Sequence, residues 1–252
     1  MTRAKIDQGS GDGIGQADVF RPRPGTDTWI FDLDDTLYPR SSGLHEQMLV
    51  RVIRFIQELI GCDEVEAARL HAHYYETYGT SLVGLSRHHG VEPADFLTFV
   101  HQIDITPIGR GEGLAEALAG LSGRRLVFTN GSRRHAERIL AHLGVADLFE
   151  GICDIEACGF VGKPSPEAFR ALLADHAVEP DTAIMFDDRE VNLSAAASLG
   201  MQTVLIGSEA AVPAGLGSHI HGYTHHLPHF LSAFLPAEGA VSGSRRSPFS
   251  TH

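Results

Sequence analysis

The chain has 252 residues, 43% of them hydrophobic, enough to bury a sizeable core and too many for a compositionally disordered chain. Twenty Lys and Arg against 32 Asp and Glu give a formal net charge of -12, which argues against a binder of nucleic-acid polymers, since those need a basic face. A small phosphorylated ligand stays open, because a local cation can reverse the field in one pocket.

Residues 1–26 are rich in Gly, Asp and polar residues and read as a flexible tail with a short extended linker. Their glycines do not form a phosphate loop: no strand precedes them and GxGxxG spacing is not met. The first segment lacks the apolar core of a signal peptide, and no run of about 18 apolar residues follows, so no membrane partner is expected. Cys62, Cys153 and Cys158 lack CxxC spacing and read as reduced thiols of a cytoplasmic protein.

Four short apolar runs read as buried strands: Thr28 to Phe31, Arg125 to Phe128, Ala183 to Phe186 and Thr203 to Ile206. Helical patterns lie between the last three, at about 132–143, 165–176 and 191–199. Ser132 and Ser165 are placed as N-caps, with Pro166 at the first helical position. Such alternation predicts an α/β fold, a Rossmann-like parallel sheet with helices on both faces. From Gly43 onward Leu44, Met48, Val52, Phe55, Ile56 and Leu59 recur at helical spacing, and only helical patterns follow up to Pro107. The expected division is a core of 27–42 and 108–236, an all-helical insertion of 43–107 after the first strand, and flexible tails at 1–26 and 237–252.

Polar clusters follow the strands: Asp32-Leu33-Asp34-Asp35-Thr36, then Thr129-Asn130-Gly131, then Asp187-Asp188. In a parallel sheet these strand ends share one edge, where ligands bind. Asp32, Asp34, Asp187 and Asp188 would meet there. Two such charges about 4 Å apart repel by about 1 kcal/mol in water and more near protein, so four require a counter-cation. Mg2+ suits carboxylate, carbonyl and water ligands. With Lys163 and donors on Thr129 and Asn130, it would cradle a phosphoryl group. Residues two apart in extended chain share a face, so Asp32 and Asp34 are expected at one phosphorus centre. One carboxylate would attack and the other handle the proton.

These motifs resemble the haloacid dehalogenase superfamily: Phe31-Asp32-Leu33-Asp34-Asp35-Thr36-Leu37-Tyr38-Pro39, Phe128-Thr129-Asn130-Gly131, Lys163, and Phe186-Asp187-Asp188 with Asn192 following. The resemblance implies Asp32 as nucleophile and Asp34 as general acid/base. It implies Mg2+ on the Asp32 carboxylate, the Asp34 backbone carbonyl and Asp187, with Asp188 and Asn192 in support. Thr129, Asn130, Gly131 and Lys163 would bind the phosphoryl oxygens, and the helical insertion would be the cap. Asp34 favours phosphate ester hydrolysis over carbon–halogen cleavage, and Asp35 departs from the glycine usual in sugar-phosphate mutases.

Leu37-Tyr38-Pro39, the stretch from Tyr74 to Leu85 and the stretch from Phe99 to Ile105 further resemble the pyrimidine 5'-nucleotidases. That implies nucleoside 5'-monophosphates such as UMP or CMP as substrates, with Tyr78 and Thr80 as cap contacts. For Tyr74 and Tyr78, packing at helical spacing is an equal reading. A broad small-metabolite or sugar phosphatase uses the same core, and a non-catalytic binding protein on that core is a third reading. Among 15 histidines, His221, His225, His226 and His229 read as a surface strand and loop, because Gly222 and Pro228 interrupt any helix.

Overall fold

The computed structural model of the protein describes residues 20–235. Six parallel strands form one sheet in the order β3-β2-β1-β4-β5-β6. They are β1 (Thr28–Phe31), β2 (Arg124–Phe128), β3 (Gly151–Cys153), β4 (Ala183–Asp187), β5 (Gln202–Ile206) and β6 (Gly222–Thr224). β1 is central, paired with β2 on one side and β4 on the other. The strand order reverses there, so the crevice beyond the C-terminal end of β1 is where this topology places a ligand. The expected α/β fold with a Rossmann-like parallel sheet is borne out.

Apolar runs make the central strands because both faces are covered: all four residues of β1 and all five of β4 are buried. Phe31 and Phe186 stack across the β1–β4 pair with centroids 4.7 Å apart, a rigid floor under the crevice. Helices α6 (Arg133–Leu143) and α7 (Pro166–Asp175) begin where Ser132 and Ser165 cap them, and Pro166 opens α7. Two further helices, α5 (Leu114–Ala119) and α8 (Glu190–Ser198), complete the crossovers.

Between β1 and α5 the chain forms four helices: α1 (Leu44–Ile60), α2 (Glu64–Tyr78), α3 (Ser81–His89) and α4 (Pro93–Val100). They bury a small core of their own around Val52, Ile56, Tyr74, Leu82, Leu85 and Phe96. Gly61, Gly79 and Gly90 end the first three in left-handed conformation. Asp63 and Thr80 cap α2 and α3 by accepting backbone N–H bonds.

Three expectations need correction. β3 and β6 have three residues each, too short for a recognisable apolar run. Residues 20–26 are not a tail: Phe20 is buried against Phe230 and Phe234, and Gln202 hydrogen-bonds the Arg23 N–H and the Arg21 carbonyl. A single Phe in a polar stretch shows no periodicity, and its partners stand some 210 residues away. The stretch from His221 to His229 is a buried strand, β6, then a helix, α9 (Leu227–Ser232). Pro228 sits in the first turn, where its missing N–H has no intrahelical partner to lose. Residues 1–19 of the expected 1–26 tail, and the expected tail at 237–252, lie outside the described residues.

Candidate active site

Asp32 is the first residue past β1, and its N–H donates to the Phe186 carbonyl at 2.8 Å. The chain does not stay extended after it. Leu37 N–H donates back to the Leu33 carbonyl, so residues 33–37 make a tight turn, with Leu33 buried beneath. Asp32 and Asp34 reach one cavity through this turn rather than by alternation along a strand. Asp35 adopts φ 59°, a left-handed conformation that Asp, Asn and Gly tolerate best.

Lys163 is the hub. Its Nζ donates to Asp32 Oδ1 at 2.7 Å, Asp187 Oδ2 at 2.8 Å and the Phe128 carbonyl at 2.7 Å, with the side chain 1% exposed. Those three bonds use all its N–H donors. Sequence reasoning expected Lys163 on phosphoryl oxygens; here it neutralises the carboxylates. Burial opposes its charge, but the two carboxylates outweigh burial and hold it protonated well above the usual lysine range.

Asn130 also differs from expectation. Its side chain is committed to the Lys163 backbone, donating to the carbonyl and accepting from the N–H. Thr129 Oγ1 accepts from Gly131 N–H at 2.9 Å, which leaves the hydroxyl proton free to donate into the cavity.

On the other side Asp187 accepts from Lys163, Arg189 N–H and Asn192 Nδ2. Acidic oxygens of Asp32, Asp187 and Asp188 all lie within 4.8 Å of one another. Burial, then repulsion from Asp187 and Asp35, pushes Asp188 up to about 7. Burial, partly countered by Lys163, raises Asp32 well above the carboxylate range, and the neighbouring aspartates add to it. One ammonium cannot balance this charge. Clustered hard oxygen donors with excess negative charge fit Mg2+. The carboxyl group of Asp34 stands outside that cluster.

Asp34 instead accepts on Oδ1 from Tyr38 OH at 2.5 Å and from His135 Nε2 at 2.8 Å. Burial would raise Asp34, but the His135 and Tyr38 contacts outweigh it and hold the carboxyl well below the usual range. His135 lies on the first turn of α6, fully buried, with His101 stacked on its ring at 4.2 Å. Sequence reasoning missed both. Tyr38 was legible only as part of Leu37-Tyr38-Pro39, and His135 had no local signal beyond its distance from Thr129.

Asp34 and His101 help line a cavity of about 510 Å³, with Tyr38 and His135 behind its wall. Asp32, Asp34, Thr129, Lys163 and Asp188 form its polar end. Met48, Leu49, Val52, Phe96 and Leu97 from α1 and α4 form an apolar wall opposite. Arg189 closes one side, its guanidinium 4.3 Å from the Tyr75 ring centroid and bonded to the Gly79 carbonyl. Thr80 lines the cavity, but Tyr78 does not: its OH pairs with His88 Nε2. The packing reading of Tyr78 is the one its position supports. A neighbouring cavity of about 620 Å³ shares Asp35 and Asp188 but holds none of Asp32, Asp34, Thr129 and Lys163, so the chemistry belongs to the smaller one.

The fold and this site define an α/β enzyme with a carboxylate-centred pocket at its switch strand. The chain belongs to the haloacid dehalogenase-like hydrolases, whose family model matches residues 26–200. It is 32% identical over 203 residues to Phosphate metabolism protein 8 of Saccharomyces cerevisiae, a match covering 73% of this chain and 62% of that one. The chain thus spans less than two thirds of that relative's length. Among solved structures, the HAD hydrolase YfnB from Bacillus subtilis, bound to magnesium, shares 15% identity at TM-score 0.53, covering 82% of this chain and 97% of the other. A HAD phosphatase from Thermococcus onnurineus shares 18% at the same score and coverage. At such identities the likeness is one of fold. Among the described residues no helix is long and apolar enough to cross a membrane.

Proposed function

We propose that the protein is a Mg2+-dependent phosphomonoesterase acting through an aspartyl-phosphate on Asp32, with pyrimidine nucleoside 5'-monophosphates such as UMP and CMP as substrates. The observation that carries the phosphatase reading is the division of labour between two carboxylates in one cavity. Asp32 is bridged to Lys163, while the Asp34 carboxyl stands outside the Asp32, Asp187 and Asp188 cluster and is held by its own donors.

Asp32 attacks phosphorus, the bond from phosphorus to the alcohol oxygen breaks, and Asp34 gives its proton to that oxygen. A phosphate dianion beside Asp34 raises its proton affinity, which supplies the protonated form for this step. Water then attacks the phosphorus of the acyl phosphate, Asp34 takes the proton, and Asp32 leaves as carboxylate with release of inorganic phosphate. Thr129 and the backbone at Asn130 orient the phosphoryl oxygens, with the Gly131 N–H holding the Thr129 hydroxyl. Lys163 holds Asp32 in place and limits its charge. The Asp32, Asp187 and Asp188 carboxylates and the Asp34 carbonyl would hold Mg2+, which supplies charge neutralisation for the phosphoryl group.

The nucleotide reading rests on the sequence of the insertion and on a cavity of about 510 Å³, room for more than a phosphoryl group. The relative named for phosphate metabolism agrees with the broader reading. A broad small-metabolite phosphatase is the second reading, favoured by the mostly apolar wall of Met48, Leu49, Val52, Phe96 and Leu97, which offers few groups to read a base. Comparing kcat/KM for UMP, CMP, AMP and sugar phosphates separates the two: a pyrimidine preference of tenfold or more supports the first, and a flat profile refutes it. Asp32→Asn is expected to abolish turnover, and substantial activity in that variant would overturn the phosphatase mechanism.

A further inference from the structure

Asp34 carries both of its close contacts on one oxygen. Tyr38 OH and His135 Nε2 meet at Oδ1, while Oδ2 faces the cavity beside Gly131, where a Cβ would stand 3.6 Å from it. A carboxylate can only accept, so His135 must carry its proton on Nε2. His135 Nδ1 is buried and has no hydrogen-bond partner among the described residues. The ring is fully enclosed and sandwiched against His101, whose plane lies within 6° of parallel. His101, the residue that ends α4, is bound in turn to Ser132 Oγ at 3.0 Å, and Ser132 caps the helix that carries His135.

A buried imidazole with one nitrogen unsatisfied is a cost to folding. Nothing in the sheet or in α6 needs that polar ring; an apolar side chain would fill the space. What the ring does is tie Oδ1 to the core. The Asp34 side chain is 22% exposed and would otherwise rotate about two bonds. With Oδ1 tied by two donors, one oxygen alone is presented to the substrate.

We propose that His135 is a positioning residue for the proton transfer of the reaction, acting with Tyr38 to fix the Asp34 rotamer so that Oδ2 meets the leaving-group oxygen. His101, supplied by the helical insertion, backs the ring. The inference rests on the phosphatase reading above. It makes a distinctive demand: the contribution of His135 scales with how much the leaving group needs a proton. A nucleoside alkoxide needs one, and p-nitrophenolate does not.

The test is kcat/KM of the full chain with Mg2+ for UMP and for p-nitrophenyl phosphate, since kcat/KM reports the phosphoryl-transfer step for both. General acid catalysis contributes about 10²–10⁴-fold. His135→Leu is expected to lower kcat/KM for UMP by about 10–100-fold, as Asp34 is loosened but not lost. The value for p-nitrophenyl phosphate should change by less than about threefold, since it draws on no proton donor. His135→Gln, whose amide nitrogen can reach the Nε2 position, should recover most of the loss. Tyr38→Phe removes the other donor at the same oxygen and should show the same selective loss, which serves if His135→Leu does not fold. An equal fall on both substrates, or no rescue by Gln, overturns the positioning role. If the native protein hydrolyses neither ester, the phosphatase reading itself fails.

Discussion

The Asn130 side chain clasps the backbone of Lys163, accepting its N–H at 2.7 Å and donating to its carbonyl at 3.0 Å. The residue after β2 thereby sets where the lysine loop runs, and Lys163 Nζ reaches Asp32, Asp187 and the Phe128 carbonyl from there.

Asn130→Ala should therefore act through Lys163. Both backbone groups of Lys163 lose their partner, and the buried ammonium loses its registration. Loss of about 1–3 kcal/mol of stability is expected, since a buried donor and acceptor are left unmade. Denaturant unfolding of native and variant protein measures it, and an unchanged midpoint would contradict the clasp.

Lys163→Met removes the only ammonium in contact with Asp32 and Asp187 among the described residues. Two buried carboxylates then face each other uncompensated, which costs about 3–5 kcal/mol. The same variant should regain stability on acidification, because protonation removes the repulsion. Thermal melts at pH 5 and pH 7.5 check this: the native-minus-variant difference should shrink at the lower pH.

Mg2+ should stabilise the native protein. At 100 times its Kd a ligand adds about 2.7 kcal/mol, or roughly 5–10 °C in Tm for a domain of this size. The pH dependence has a definite sign. The Asp188 carboxyl is raised from 3.8 to about 7, so its contribution favours the metal-free fold below pH 3.8 and is lost as pH rises through 7. Metal requires the ionised form, so the Mg2+-induced shift should be larger at pH 8 than at pH 6. Differential scanning fluorimetry with a chelator and with Mg2+ tests both points, and Asp187→Ala should abolish the shift.

His101 gives a separate acid limit. Burial, then the neighbouring His135, lowers it from 6.5 to about 3, while Asp34 partly opposes and Arg138 adds to the shift. Between those values the unfolded chain binds a proton that the folded one does not. The contribution is complete above 6.5 and is lost as pH falls toward 3. His101→Phe keeps a ring against His135 without the titration. Between pH 7.5 and 5 the native protein should lose about 1–2 kcal/mol more than this variant in urea unfolding.

Amino-acid order alone determined the parallel sheet, because strands buried on both faces must be short apolar runs, and Trp29, Ile30, Met185 and Phe186 are such runs. It determined the helix starts at Ser132 and Ser165, since capping is local chemistry. It also marked Asp32, Asp34 and Asp187, because strand ends of a parallel sheet share one edge, and it marked Lys163 in a loop just ahead of a helix. Only the tertiary structure decided what those groups touch. Lys163 spends its donors on carboxylates, Asn130 holds a backbone, Tyr78 faces His88 rather than the cavity, and Phe20 closes the core instead of trailing in a tail. The donor that fixes Asp34 comes from 101 residues away. Side-chain partners at such separations leave no periodicity or spacing to read, because they are chosen by packing after the backbone has brought the elements together.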